Sequence, residues 1–150
     1  MNNIVTVRQA SVHDLSALVP LFDGYRCFYG RESDVTAAQS FLRDRFSHAE
    51  SVVFLAFNGQ DPVGFTQLYP SFSSATMARI FILNDLYVRE DARRSGAASA
   101  LIGAAAEFAK AVGAVRLTLS TAATNTSAQA VYESLGWRRD EQFWVYNLML

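Results

Sequence analysis

Residues 87–99 read YVREDARRSGAAS. An apolar run ends there, two arginines stand beside a glycine, and small residues follow. That order suits an anion. The first N–H groups of a helix have no intrahelical acceptor, and the helix dipole adds positive potential at the same end. Gly96, Ala97 and Ala98 have almost no side chain, so a phosphate can approach the backbone closely. Arg93 and Arg94 add mobile positive charge. The stretch is neither the GxxxxGKS/T of a P-loop nor the GxGxxG of a dinucleotide fold. Taken alone, it is equally a pair of solvated arginines ahead of an ordinary helix.

The surrounding pattern supplies the elements that must hold this junction. IVTVRQ, residues 4–9, alternates and reads as a strand. Ser11 and Asp14 have capping-box spacing, and Leu15, Leu18, Val19 and Phe22 follow at helical intervals. Pro20 inside that pattern predicts a kink or an early end, because a mid-helix proline costs about 3 kcal/mol. YRCFYGRESD then reads as an irregular connection, with Cys27 as a small buried filler. Asp34 is placed to cap a second helix that turns Val35, Ala38, Phe41, Leu42 and Phe46 inward. Three strands come next, at 51–57, 62–72 and 77–88, the first two joined by an Asn-Gly turn.

Beyond the junction an alanine-rich helix, 99–113, leads to VRLTLS, a strand. A strand–helix–strand path of that length makes parallel neighbours. NTSAQAVYESLGW is a short helix ended by Gly136, and RRDEQFWVYNLML supplies one or two final strands. The predicted order is β-α-α-β-β-β-α-β-α-β-β, an α/β fold with a mixed sheet and helices on both faces.

Composition sets the class. The 150 residues are 51% hydrophobic and 18% charged, enough for the core of one domain spanning 1–150. A net charge of −1 argues against general nucleic-acid binding. One cysteine forms no internal disulfide and no cysteine-based zinc site, and the two histidines are isolated, so no metal is expected. No membrane-length apolar run and no leader pattern are visible, which makes a cytoplasmic protein the expectation.

The block from Leu83 to Trp137 resembles the GNAT superfamily of acetyl-coenzyme A-dependent N-acetyltransferases. In that family a strand like LNDLYV leads into Q/R-x-x-G-x-G/A, and Arg93, Gly96 and Ala98 fill the marked positions. A later N…A…Y…LGF segment is matched by Asn125, Ala130, Tyr132 and Leu135-Gly136-Trp137, with Trp137 replacing the commoner Phe. The resemblance implies a GNAT-like fold whose central parallel pair splays apart, with acetyl-coenzyme A as co-substrate. It implies that the amides of Arg94, Ser95, Gly96, Ala97 and Ala98 hold the pyrophosphate, with Arg93 nearby. The exposed backbone across Leu86, Tyr87 and Val88 would pair with the pantetheine arm. Asn125 would bind the pantetheine, and Tyr132 would protonate the departing thiolate. Its place on an apolar helix face also fits core packing.

The acceptor is less legible. Attack on a thioester needs a neutral amine, and deprotonating an alkylamine at pH 7 costs roughly 4–5 kcal/mol. The spermidine/spermine acetyltransferases have a glutamate where this chain has Asn84, and an amide is no base. Asp85 is adjacent, directed by strand alternation to the opposite face. Glu32 and Tyr69 are candidates from neighbouring segments, and Tyr25, Phe28, Tyr29, Tyr69 and Phe72 form a possible acceptor wall. These segments resemble a bacterial subgroup related to the Hpa-type histone and small-amine acetyltransferases, which implies a homodimer and a primary-amine acceptor. The alternative is a coenzyme A-binding regulatory or partner module without acetyl transfer.

Overall fold

The structure, a computed structural model, describes residues 4–150. In chain order come β1 (Val5–Gln9), a single 3-10 turn (Val12–Asp14), α1 (Leu15–Phe28), α2 (Val35–Ser47), β2 (Val52–Asn58), β3 (Asp61–Ser73) and β4 (Ala78–Val88). A second 3-10 turn (Glu90–Ala92) leads to α3 (Ala97–Ala111), β5 (Leu117–Thr118) and α4 (Thr126–Ser134). The chain falls into two compact units that divide between Ser120 and Thr121.

The first unit carries a five-stranded sheet in the order β1-β2-β3-β4-β5. The first three junctions are antiparallel, and β4 and β5 are parallel neighbours. Period-two alternation sorts the strand side chains between two helical layers. Val53, Leu55 and Phe65 join Leu15, Leu18, Phe22, Ala38 and Leu42 in the core beneath α1 and α2. On the other face the α3 ring of Phe108 lies 5.7 Å from Phe54 and 5.6 Å from Phe81. Leu101, Ile102, Ala105 and Ala109 form the buried stripe of α3.

Local signals are honoured at several ends. Ser11 and Asp14 form the expected capping box. The Asp34 side chain accepts the Ala37 N–H. Of the residues expected to face inward on α2, Ala38 and Leu42 are buried, whereas Val35 and Phe41 are exposed. Gly59 takes a positive φ of 63° in the two-residue turn between β2 and β3.

Four expectations are corrected. First, α1 runs through Pro20 without ending and takes in Tyr25–Phe28, leaving 29–34 as the connection. Pro20 and Ser16 are both exposed, so the carbonyl that proline leaves without a donor faces water. Second, Cys27 is exposed on the last turn of α1, not a buried filler. Third, β5 is two residues long where six were predicted. Fourth, residues 138–150 form no strand. A strand exists only with a partner ladder, and this segment has none among the described residues.

Gly64 pairs with Val88 across β3 and β4. A Cβ at Gly64 would sit 2.7 Å from the Tyr87 carbonyl oxygen and 3.2 Å from Val88 Cγ2. Backbone cannot yield as a flexible side chain does. Gly64→Ala is therefore expected to destabilise the chain by about 1–3 kcal/mol, read as a lowered urea midpoint at unchanged slope.

Candidate active site

The junction singled out in the sequence is the N-terminus of α3. Arg94 and Gly96 have positive φ, 64° and 85°, and turn the chain sharply into the helix. The first helical bond runs from Ala100 N–H to the Gly96 carbonyl. By helix geometry the amides of Ala97, Ala98 and Ser99 therefore lack an intrahelical acceptor. No side chain caps them. A Cβ on Gly96 would meet no protein atom within 4 Å. Glycine is thus required here by φ, and the space above it is open to a bound group. The residues present fit the pyrophosphate of coenzyme A.

Two arginines brace this loop. The Arg89 guanidinium holds both Asp61 carboxylate oxygens at 3.0 Å and reaches Asp91 at 3.0 and 3.1 Å. Those carboxylates raise the Arg89 pKa. Arg93 donates from Nε to the Val88 carbonyl at 3.0 Å, and its guanidinium carbon lies 5.4 Å from the centre of the Phe28 ring. The loop is thereby tied to the end of β4 and to the end of α1.

The strand before the loop departs from regular pairing. On β3, Leu68 faces Leu83 and Gln67 faces Asp85, so Asn84 is an extra residue, a β-bulge. β5 pairs only with Phe81 and Ile82, both before the bulge. Past it, the edge of β4 at residues 83–88 that faces away from β3 has no strand partner among the described residues of the first unit. This is the splayed parallel pair, with Leu86, Tyr87 and Val88 along the open edge.

The bulge also changes which face Asp85 occupies. Phe81 points to α3, and regular alternation would send Leu83 and Asp85 the same way. The extra residue puts Asp85 opposite Gln67, on the face shared with Phe65 and α1. There the carboxylate is 2% exposed. Gln67 Nε2 donates to it at 2.6 Å and Asn84 Nδ2 at 2.8 Å, and the Tyr25 hydroxyl, which donates to the Asn84 carbonyl at 3.5 Å, is close by. Burial pushes the Asp85 pKa up, and Asn84, Gln67 and Tyr25 partly oppose the shift. Between the ordinary carboxylate range and that raised value, folded Asp85 keeps a proton that the unfolded chain has released. Its contribution to stability therefore falls as pH rises through the window.

Tyrosines surround the carboxylate. Burial, then the Asp85 charge, raises the Tyr25 pKa. Tyr69, on the same face of β3 as Gln67, is pushed up to about 12, again by burial first and Asp85 second. The Tyr29 ring lies 4.9 Å from Tyr25, edge-on, and Phe28 lies 5.3 Å from Tyr29. Tyr25, Tyr69 and Asp85 are thus brought together, with Tyr29 beside them. Glu32 is exposed in the 29–34 connection, where its carbonyl accepts from Arg26. No hydrogen bond or ion pair among the described residues joins its carboxylate to Asp85. Gln67 and Arg89 were not foreseen. Arg89 lay inside the motif, whereas nothing in the sequence marked a buried glutamine as the partner of Asp85.

In the second unit, the Asn125 side chain caps α4 by accepting the Ala128 N–H at 3.2 Å. Tyr132 is half-buried, with its ring 6.1 Å from Trp137. Gly136, at φ 93°, ends the helix as expected. A concavity of about 740 Å³ in this unit, lined by Glu133, Trp137 and residues 138–142, contains neither Asn125 nor Tyr132. Among the described residues no group of three or more His, Cys, Asp or Glu is placed to hold a metal ion. No helix among them is long and apolar enough to cross a membrane.

A mixed sheet whose parallel pair ends early beside an uncapped helix N-terminus is an arrangement that can receive a phosphate-bearing co-substrate. The model of the acetyltransferase (GNAT) family matches residues 18–137, so the chain belongs to that family, with acetyl-coenzyme A as its co-substrate. It is 44% identical over 144 residues to the uncharacterized N-acetyltransferase YhfO of Bacillus subtilis, covering 96% of this chain and 97% of that one. A solved structure of a probable acetyltransferase, also 44% identical, superposes with a TM-score of 0.91 over 97% of both chains. A thialysine N-epsilon-acetyltransferase of Caenorhabditis elegans is 30% identical over 110 residues, 73% of this chain and 68% of that one.

Two measurements test the site. Gly96→Glu places an anion in the cradle and is expected to weaken acetyl-coenzyme A binding about 100-fold or more by calorimetry. Gly96→Ala should cost about 1 kcal/mol of stability from the left-handed backbone and leave binding largely intact. Tyr25→Phe removes a donor that lowers the Asp85 pKa. The acidic limb of the kcat/KM profile should therefore move to higher pH, and kcat should fall.

Proposed function

We propose that the chain is an N-acetyltransferase moving acetyl from acetyl-coenzyme A to a primary amine of a small molecule or peptide. The observation that carries this reading is the buried Asp85 carboxylate, ringed by Tyr25, Tyr69 and Tyr29, at the bulge where the open edge of β4 begins. A carboxylate set among aromatic faces suits an alkylammonium, which it attracts as a cation and then deprotonates. It supplies the basic group that Asn84 cannot. The family match runs from 18 to 137, across the division at Ser120, which supports residues 1–150 acting as one acetyltransferase domain.

The reaction is a direct attack in a ternary complex. The amides of Arg94, Ser95, Gly96, Ala97 and Ala98 hold the pyrophosphate, with Arg93 beside them. The open edge at Leu86, Tyr87 and Val88 pairs with the pantetheine arm, and Asn125 adds to its binding. The neutral amine nitrogen bonds to the acetyl carbon, and the carbon–sulfur bond breaks. The ammonium proton passes through the Tyr25 hydroxyl to Asp85 before attack; Tyr132 gives its proton to the departing thiolate, and the proton that the nitrogen loses once the amide forms returns to Tyr132. Tyr69 and Tyr29 wall the amine, and Glu32 lies at the rim of the acceptor pocket. The similarity to a thialysine ε-acetyltransferase supports an unhindered primary amine as acceptor. We place the chain with the Hpa-type small-amine subgroup, as a cytoplasmic homodimer working where acetyl-coenzyme A is made.

Tyr132→Phe is expected to lower kcat by about a hundredfold or more while acetyl-coenzyme A affinity stays within a few-fold. An unchanged kcat under chemistry-limited conditions would remove Tyr132 from the acid role. Thiol release over a panel of polyamines, amino acids, aminoglycosides and peptides should show turnover with at least one primary amine. Tight coenzyme A binding without turnover across that panel would instead identify a binding module that does not transfer acetyl.

A further inference from the structure

Beside Asp85 lies a buried amide with one end unused. Gln67, in the middle of β3, is fully buried. Its Nε2 donates to Asp85 Oδ2 at 2.6 Å, while its Oε1, also buried, has no hydrogen-bond partner among the described residues. A buried acceptor without a donor is costly, and native structures keep few of them. Asn84 holds the other carboxylate oxygen, Oδ1, at 2.8 Å, but Asn84 is exposed and the far end of its amide meets water. Gln67 has no such recourse.

The backbone around the pair is pinned. Gln67 faces Asp85 across β3 and β4, and the hydroxyl of neighbouring Thr66 donates to the Asp85 carbonyl at 2.8 Å. A change of charge on Asp85 is therefore met by side chains. As a carboxylate Asp85 has only acceptor oxygens, and an NH2 suits it. Carrying a proton it presents an O–H, which needs an acceptor. A fixed Gln67 would then set donor against donor. The missing acceptor is on the same side chain. The last torsion of glutamine has two broad, roughly equivalent settings about 180° apart, and the groups it exchanges are nearly the same size. With Oε1 unheld, the half-turn gives up only the bond to Asp85. The separation fits both states. At 2.6 Å it is short for N–H···O, which centres on about 2.9 Å, and ordinary for O–H···O, at about 2.5–3.0 Å.

We propose that Gln67 is a positioning residue that follows the proton: its Nε2 donates to charged Asp85, and once Oδ2 has taken the proton of the acceptor ammonium, passed on by Tyr25, the amide turns over and Oε1 accepts the new O–H. A nitrogen–hydrogen bond of the ammonium breaks as the oxygen–hydrogen bond of the carboxyl forms, and no further reactant is needed. Both states of the buried group are then hydrogen-bonded, so Asp85 stays in place to take a proton and to release it. This step rests on the reading of Asp85 as the base. The titratable and charged groups around the pair are Tyr25 and Tyr29 of α1, Tyr69 of β3, Tyr87 of β4, and Arg45 of α2 with its partner Glu50. Tyr25 and Tyr69, both raised by burial first, stay neutral where a carboxylate titrates.

Side-chain amide NMR of the full chain tests the turn without catalysis. At high pH the Gln67 NH2 should show a nuclear Overhauser contact to the Asn84 NH2, because both amides hold one carboxylate. That contact should vanish as pH falls, with the same midpoint as the acidic limb of kcat/KM. In Asp85→Asn the Gln67 signals should not titrate. Gln67→Met fills a similar volume with no donor. It should lower kcat about tenfold, keep the acceptor KM within about twofold and move the acidic limb to higher pH, since the charged carboxylate loses a donor. A contact absent at high pH or persisting through the titration overturns the proposal, as does a folded Gln67→Met with the wild-type pH profile. If Gln67→Met does not fold, the contact in the unsubstituted chain decides. If Asp85→Asn keeps the wild-type kcat, the reading of Asp85 as the base fails instead, and the contact still decides the turn.

Discussion

One extra residue organises the catalytic half of this sheet. Asn84 has no counterpart on β3, and two consequences follow from that single mismatch. A bulged strand bends, and β5 pairs with β4 only before the bend. The same insertion reverses the inside–outside alternation, which carries Asp85 from the α3 face to the face packed by α1. The open edge and the buried carboxylate are thus products of one local irregularity. Neither needs a special residue at its own position so much as an extra residue before it.

Charge is placed in this chain by two different means. At the start of α3 the positive potential comes from amides without an intrahelical acceptor, held in place by a left-handed glycine and by arginines bonded to fixed acceptors. At Asp85 the polarity is reversed. A carboxylate is kept in a dry layer by the Gln67 and Asn84 amides, and burial holds its proton affinity high. The proposed reaction, with an anionic co-substrate and a cationic acceptor, uses both. The sheet supplies them from consecutive segments of chain, since residue 85 and residues 94–98 are separated only by the end of β4 and a short turn.

The uncapped, glycine-led start of α3 was legible in the sequence because its physics is local. Small residues after a strand, arginines beside a glycine and a helix thereafter are all read within one short window. The caps at Ser11 and Asp34 and the helix end at Gly136 were legible for the same reason. Pro20 misled, because its cost depends on whether the orphaned carbonyl meets water, which no window of sequence reports. Asp85 misled more deeply. Alternation counts residues along one strand, and a bulge is visible only when the partner strand is laid beside it. Gln67, far along the chain, was unremarkable until that pairing placed it against Asp85.

The amino-acid sequence by itself determined the family, the cofactor and the order of elements through α4, because these follow from short motifs and from the periodicity of apolar residues. Tertiary structure alone decided which carboxylate is buried, where the parallel pair parts, and that the last segment finds no ladder among the described residues of its own chain. Those outcomes depend on register between distant segments, and register is set by packing across the sheet.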